Sequence, residues 1–323
     1  MNIKTFVTAS VAELLFFGTL CAQPAWINAD SIFGPLPPSM HVYYTSDNLE
    51  GKPGIAYYVK VPLRDPELIF DVDTALNRGL TPSVYYERNG NPLLVINCTF
   101  FSPERRNVNV VIDEGEMVSF NIPSVFSKED SLYHYVTRSA IGIDRHRNAD
   151  VAWTFTDIER KRAYEMIYGP SVGAGEKADP VPGELKPEGS SYKGRLYRPW
   201  KMETAVGGGP SLLTNGEINI TNNQERMFAG KAIGDRHPRT AMGYTLDGYL
   251  IIMAIEGRNP GRAEGATLIH EAELLRSLGC VEALNLDGGG STCMLINGKE
   301  TIKPSDATGQ RRVPAVFMIK KAK

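Results

Sequence analysis

Turn dipeptides limit what this chain can fold into. Glu114-Gly115, Asn215-Gly216, Asp247-Gly248 and Asn297-Gly298 each separate short apolar runs, and such glycine-containing connections are strong local signals for β-hairpins. Val108 to Asp113 is expected to pair with Met117 to Phe120, Ala140 to Ile143 with Val151 to Phe155, and Thr240 to Thr245 with Tyr249 to Ile255. Only two stretches read as helices. TPSVYYERNG has Thr81 as N-cap, Pro82 at the first helical position and Gly90 as its stop. TLIHEAELLRSLG places Leu268, Ala272, Leu275 and Leu278 on one face between Thr267 and Gly279.

Each helix leads into a strand, Leu93 to Asn97 after the first and Val281 to Asp287 after the second. Asn97 and Asp287 therefore fall at strand C-terminal ends, where ligand sites gather in folds that combine helices and sheets. The expected class is α+β, a strand-rich mixed sheet core with a few packed helices and multiple β-hairpins. Residues 1–22 read as a signal peptide, 23–80 as a strand-rich segment packed on the core, and 81–323 as the main domain. Within the latter, 161–200 dissolves into Gly, Pro and charged residues and is expected to be a loop insertion.

The export reading rests on Lys4, the apolar stretch Leu14 to Leu20 and cleavage near Ala22. It implies a periplasmic or secreted protein with no membrane span in the mature chain, since the apolar run is too short to cross a bilayer. A net charge of -2, with 22% charged residues, offers no basic excess for nucleic acid or an anionic membrane. The expected partner is a small molecule or glycan. Cys98, Cys280 and Cys293 would remain after cleavage, and three thiols cannot all pair within one chain. Cys280 is expected to be free and buried, while a Cys98–Cys293 bridge stays open.

The run VEALNLDGGGSTCMLIN carries the densest chemistry. Asp287 ends an apolar strand, and Gly288, Gly289 and Gly290 let backbone N–H groups approach a ligand, with the hydroxyls of Ser291 and Thr292 beside them. The plain alternative is a tight turn whose Asp bonds its own backbone. Four other segments add to it: VINCTFF, with the Asn97 amide; AVGGGPSLLTNG, with Gly208 and Gly209; DRHPRTAMG, with His237, Arg239 and Thr240; and IEGR, with Glu256 and Arg258. Singly, each arginine reads as a surface ion pair, His237 as a solvated loop residue, and Phe100 and Phe101 as core.

Taken in order, VINCTFF, AVGGGPSLLTNG, PRTAMGYTLDGYLIIMAIEGR, LLRSLGC, ALNLDGGGSTCMLING and SDATGQRRVPAVFMIK resemble the phosphodiester glycosidase family across roughly residues 90–320. Cys98 and Thr99 stand where that family usually has glycines, and Glu256 where an Asp is frequent. The resemblance implies hydrolysis of a sugar, such as an α-linked N-acetylglucosamine, from a 1-phosphodiester. Glycoside cleavage calls for carboxylates at the anomeric carbon, which makes Asp287 and Glu256 the candidate pair. Arg239, with Arg258 or Arg312 as a second clamp, and the Gly288–Gly290 backbone suit the departing phosphate. Asn97, Gly208, Gly209, Thr240, Ser291 and Thr292 are candidates for orienting sugar hydroxyls or phosphate oxygens.

No cofactor or metal is expected. The five histidines are scattered, and His270-Glu271 lacks the second histidine of a zinc helix, so it reads as helix surface. Oxygen ligands such as Asp235 and Asp287 keep a hard cation open. Two other functions also stay open: a phosphodiesterase cleaving the P–O bond, and a non-catalytic carbohydrate-binding protein.

Overall fold

The computed structural model describes residues 23–75, 78–167, 191–192 and 195–322. The segment read as a signal peptide and most of the 161–200 insertion lie outside them. Two eight-stranded sheets, a five-stranded sheet and a two-stranded ribbon make up the described chain. The first sheet runs Ile27–Asn28, His41–Thr45, Ala56–Pro62, Tyr249–Ile255, Arg239–Thr245, Cys280–Asn285, Ser211–Thr214 and Glu217–Ile218 in spatial order. The strands near the N-terminus thus extend the same sheet that carries the C-terminal motifs. In the second sheet Arg138–Ile143 lies between Ala149–Asp157 and Thr204–Gly207, and in the five-stranded sheet Leu94–Asn97 lies between Met294–Ile296 and Ala315–Lys321.

Burial on both faces explains the strand sequences. Along Tyr249–Ile255, Leu250, Ile252 and Ala254 point into a central core, while Ile251, Met253 and Ile255 pack toward the second helix. The central core also receives Leu94, Ile96 and Phe317 from the five-stranded sheet and Val111, Ile141 and Val206 from the second sheet. Three sheets therefore share one apolar interior. At about 25 cal/mol per Å² of apolar surface removed from water, that common interior is the main force fixing their relative placement.

The chain has the expected strand-rich α+β class, and every pairing among the described strands is antiparallel rather than mixed. Parallel neighbours need a long crossover. Here Cys280–Asn285 leaves its helix and inserts between two strands that run the other way. The hairpins at Asn215-Gly216, Asp247-Gly248 and Asn297-Gly298 form as the turn residues dictate. Within the expected insertion, Arg162–Met166 and Arg195–Pro199 are paired strands, so the second sheet extends into what the composition presents as loop.

The two long helices begin where their caps stand. Thr81 accepts from Val84 N at the start of Pro82–Arg88, and Thr267 accepts from His270 N at the start of Leu268–Ser277. His270 and Glu271 are buried, not on the helix surface: the helix lies against the first sheet over a face wide enough to enclose them as well as Leu268, Ala272 and Leu275. Cys98, Cys280 and Cys293 are free and buried, so no Cys98–Cys293 bridge forms. Burial pushes the Cys98 and Cys280 thiols up to about 12.

Candidate active site

Asp287 sits where the three sheets meet. Its N–H donates to the Cys98 carbonyl at 2.8 Å, linking the exit of the first sheet to that of the five-stranded sheet. On the other side Gly209 N donates to Asn285 O at 2.8 Å, and Gly208 is packed so closely that an added Cβ would lie 2.6 Å from the same carbonyl. Strand ends from all three sheets thereby converge on one turn.

A buried polar knot holds that turn. Asn97 Nδ2 donates to the Asp287 carbonyl, while Asn97 Oδ1 accepts from Thr240 Oγ1 at 3.1 Å and from Cys293 N at 3.0 Å. The Thr240 and Thr292 hydroxyls are 3.3 Å apart. Asn97, Thr240 and Thr292 are buried, so the structure places them beneath the turn, holding its backbone. Cys98 and Thr99, at the positions of the family's glycines, are also buried, and neither adopts a positive φ. The strand exit therefore accommodates their side chains without strain.

The turn itself is partly self-satisfied. Gly289 N donates to Pro238 O, Ser291 N to Gly288 O and Thr292 N to Gly289 O. Among the described residues this leaves the Gly288 and Gly290 N–H groups as the donors of the turn. The Asp287 side chain is half-buried, and its Oδ2 has no hydrogen-bond partner among the described residues. Desolvation pushes its pKa up to about 7, against the opposing influence of the nearby Ser291 hydroxyl and Arg311. A carboxyl that titrates near neutrality can exchange a proton with a reacting group.

Positive charge surrounds it unevenly. The exposed Arg258 guanidinium lies over Gly289, about 3.1 Å from where a Cβ would sit, and its Nη2 is 3.3 Å from His237 Nδ1. Burial, then Arg239 and Arg258, hold the His237 pKa below its usual value, so the neutral ring presents Nδ1 as acceptor to Arg258. Arg311 grips Asp306 through two bonds of 2.7 and 2.8 Å. This ion pair rests on Gly290, where any side chain would collide with it.

Arg239, Glu256 and Arg312 make contacts of their own. Arg239 is buried: Nε donates to Ala266 O and Nη2 to Asp235 O, with its charge near the buried Glu271. Glu271 is pushed up to about 8 by burial, opposed by Arg239. Glu256 is also fully buried, and its oxygens accept from Asn259 Nδ2, Arg262 Nε and Lys303 N at 2.8 to 3.1 Å. Register places Ile255 opposite Arg239 and Asn285 opposite Ala241, so Glu256 and Asp287 flank the strand that begins at Arg239 from opposite sides. Arg312 is exposed; its backbone packs on Gly79 and its carbonyl accepts from Arg105. The adjacent Arg311, which the sequence reading missed, is the one at the turn. Among the described residues no group of three His, Cys, Asp or Glu side chains could hold a metal ion.

Residues 174–320 match the NAGPA family model, described as phosphodiester glycosidase. Mouse N-acetylglucosamine-1-phosphodiester alpha-N-acetylglucosaminidase is 36% identical over 103 residues, covering 29% of this chain and 20% of that protein. The SPbeta prophage-derived protein YomE of Bacillus subtilis (strain 168) is 41% identical over 71 residues, 22% of this chain and 11% of YomE. The matched stretch thus spans a fifth or less of these relatives' length. The zebrafish N-acetylglucosamine-1-phosphodiester alpha-N-acetylglucosaminidase catalytic domain, auto-inhibited by its pro-peptide, superposes with a TM-score of 0.54 at 18% identity, covering 93% of this chain and 89% of that one. That likeness is one of fold. Over residues 174–320 the chain is similar to the phosphodiester glycosidase family, within the stretch where its motifs fall in that order.

Proposed function

We propose that this protein is an exported hydrolase that releases a sugar from a 1-phosphodiester, with Asp287 as the residue that acts on water. The observation that carries the reading is the Asp287 carboxyl itself: half-buried, with one oxygen unpartnered and a pKa near 7, beside the glycine turn and Arg258. A phosphate monoester leaves far more readily than a sugar alkoxide, so departure needs charge stabilisation more than protonation. Arg258 and the Gly288 and Gly290 N–H groups supply it. Asp287 as carboxylate accepts a proton from water, the water oxygen bonds to the anomeric carbon, and the bond from that carbon to the phosphate oxygen breaks. Arg311 and Asp306 hold Gly290, while Asn97, Thr240 and Thr292 hold the turn from below.

Glu256 has both oxygens, and Arg239 its Nε and Nη2, bonded within the protein, and in this reading both residues serve to position the strand ends. Export is supported by the Lys4 to Ala22 pattern. No helix among the described residues is long and apolar enough to cross a membrane. The test is a panel of sugar 1-phosphodiesters, sugar 1-phosphates and neutral glycosides, following released sugar. Turnover of the diesters that is lost in Asp287→Asn is expected; wild-type activity confined to neutral glycosides, or an Asp287→Asn variant of near-normal rate, would overturn the reading.

A further inference from the structure

Arginines without acidic partners collect on one flank of the Asp287 turn. Arg311 is neutralised by Asp306, but the next residue, Arg312, is exposed, and its carbonyl accepts from Arg105 Nη1. The Arg105 side chain crosses Gly79, where an added Cβ would lie 3.0 Å from Arg105 Cδ and 2.9 Å from Arg312 Cβ. Arg78 precedes that glycine, Arg106 follows Arg105, and both are exposed. Among the described residues none of these four guanidinium groups forms an ion pair. Glu104, also exposed, is near enough to feel the charge of Arg106, and the flank keeps a cationic excess in a chain whose net charge is -2. Like charges held together repel, and a bound anion relieves that repulsion.

A groove of about 510 Å³ opens from this flank, lined by Glu104, Arg106, Asn107, Val118, Phe120 and Pro314. That volume suits a small-molecule group. The groove is tied to the turn on both sides. Asn107 Oδ1 accepts from Thr99 Oγ1, and Thr99 adjoins Cys98, whose carbonyl holds Asp287 N. Pro314 lies three residues beyond Arg311, which rests on Gly290. The cationic flank thus begins one residue from the group that touches the turn. Val118 and Phe120 turn apolar surface outward. A diester has two arms, the sugar whose anomeric bond breaks and the alcohol that departs with the phosphate. An alcohol arm running along the groove would lay its C–H groups on Val118, Phe120 and Pro314 and bring any acidic group to the arginines, whose forked donors match phosphate oxygens.

We infer that Arg78, Arg105, Arg106 and Arg312, with the adjoining groove, form a subsite for the departing arm of the diester, and that this arm carries at least one further phosphate, as in a polymer of phosphodiester repeats. A neutral arm would fill the groove and leave the arginines uncompensated. The inference rests on the sugar-phosphodiester reading for the bond that is cut, yet binding of a phosphate chain can be measured without turnover.

The experiment gives the full chain two diesters of one sugar 1-phosphate, one to methanol and one to a hydroxyl of glycerol phosphate. The glycerol phosphate arm is expected to raise kcat/KM about tenfold, the scale of two or three exposed charge pairs, chiefly through KM. The preference should vanish as salt rises from about 0.01 M to about 1 M, where the screening length falls from about 30 to about 3 Å. In the double variant Arg106→Gln, Arg312→Gln the ratio of the two rates should fall to about one. Both side chains are exposed, so the variant keeps its fold. Calorimetry with tripolyphosphate follows binding alone, which should weaken about fivefold or more in the same variant. Equal rates on the two diesters, a preference indifferent to salt, or tripolyphosphate binding unchanged in the variant would overturn the inference. Arginine-dependent tripolyphosphate binding without turnover of either diester would sink the proposed function and leave the subsite standing; turnover of both diesters at equal rates would do the reverse.

Discussion

In the proposed mechanism Asp287 couples function to stability. Burial raises its folded-state pKa to about 7 from an ordinary value of 3.8. The folded protein therefore holds a proton that the unfolded chain has lost between those values. The resulting stability is present at low pH and is lost as pH rises through about 7. Asp287→Asn should accordingly raise stability at pH 8 by roughly 1–3 kcal/mol, with little change at pH 4, while removing most turnover. Because the proposed reactive form is the carboxylate, wild-type kcat/KM should fall on the acid side of about pH 7. A melting temperature unchanged by the variant at pH 8, or a rate that rises as pH falls below 6, would contradict this. Arg258 and Arg239 separate in the same way. Arg258→Ala should cost about 10- to 100-fold on the charged diester with stability unchanged, whereas Arg239→Ala should destabilise by about 1–3 kcal/mol by leaving the buried Ala266 and Asp235 carbonyls without their donor, as denaturant titration would report. Glu256→Gln should lower the melting temperature and keep turnover within about tenfold, the scale of one net hydrogen bond; a loss matching Asp287→Asn would make Glu256 a chemical partner after all.

At the scale of elements, local chemistry was legible and lateral placement was not. The caps at Thr81 and Thr267 and the turn residues at Asp247-Gly248 and Asn297-Gly298 act on their own neighbours, so reading along the chain finds them. Thr267→Ala should cost about 1 kcal/mol for that reason. Arg311 was hidden because QRRVP presents two adjacent arginines and only the fold decides which one faces the turn. The Gly290 contact shows how the elements lock: Gly290→Ala would place a methyl group on the Arg311–Asp306 pair. Loss of activity with a lowered melting temperature is expected, and an unperturbed variant would show that this pair is dispensable to the turn.

Across the whole molecule the motifs make sense as the exits of three sheets that share one core. Their order along the sequence carries the family resemblance, but which faces meet depends on register between strands more than a hundred residues apart, such as Asn97 beneath Asp287. That is why Asn97, Thr240 and Thr292 read as ligand contacts in the sequence and stand in the structure as the support of the turn. The same convergence brings one carboxylate, two turn N–H groups and Arg258 together, and the proposed function uses them for attack at the sugar carbon and not at phosphorus. Hydrolysis of a sugar 1-phosphodiester in water enriched in oxygen-18 tests this most directly: the account predicts the label in the released sugar, and label in the phosphate would contradict it.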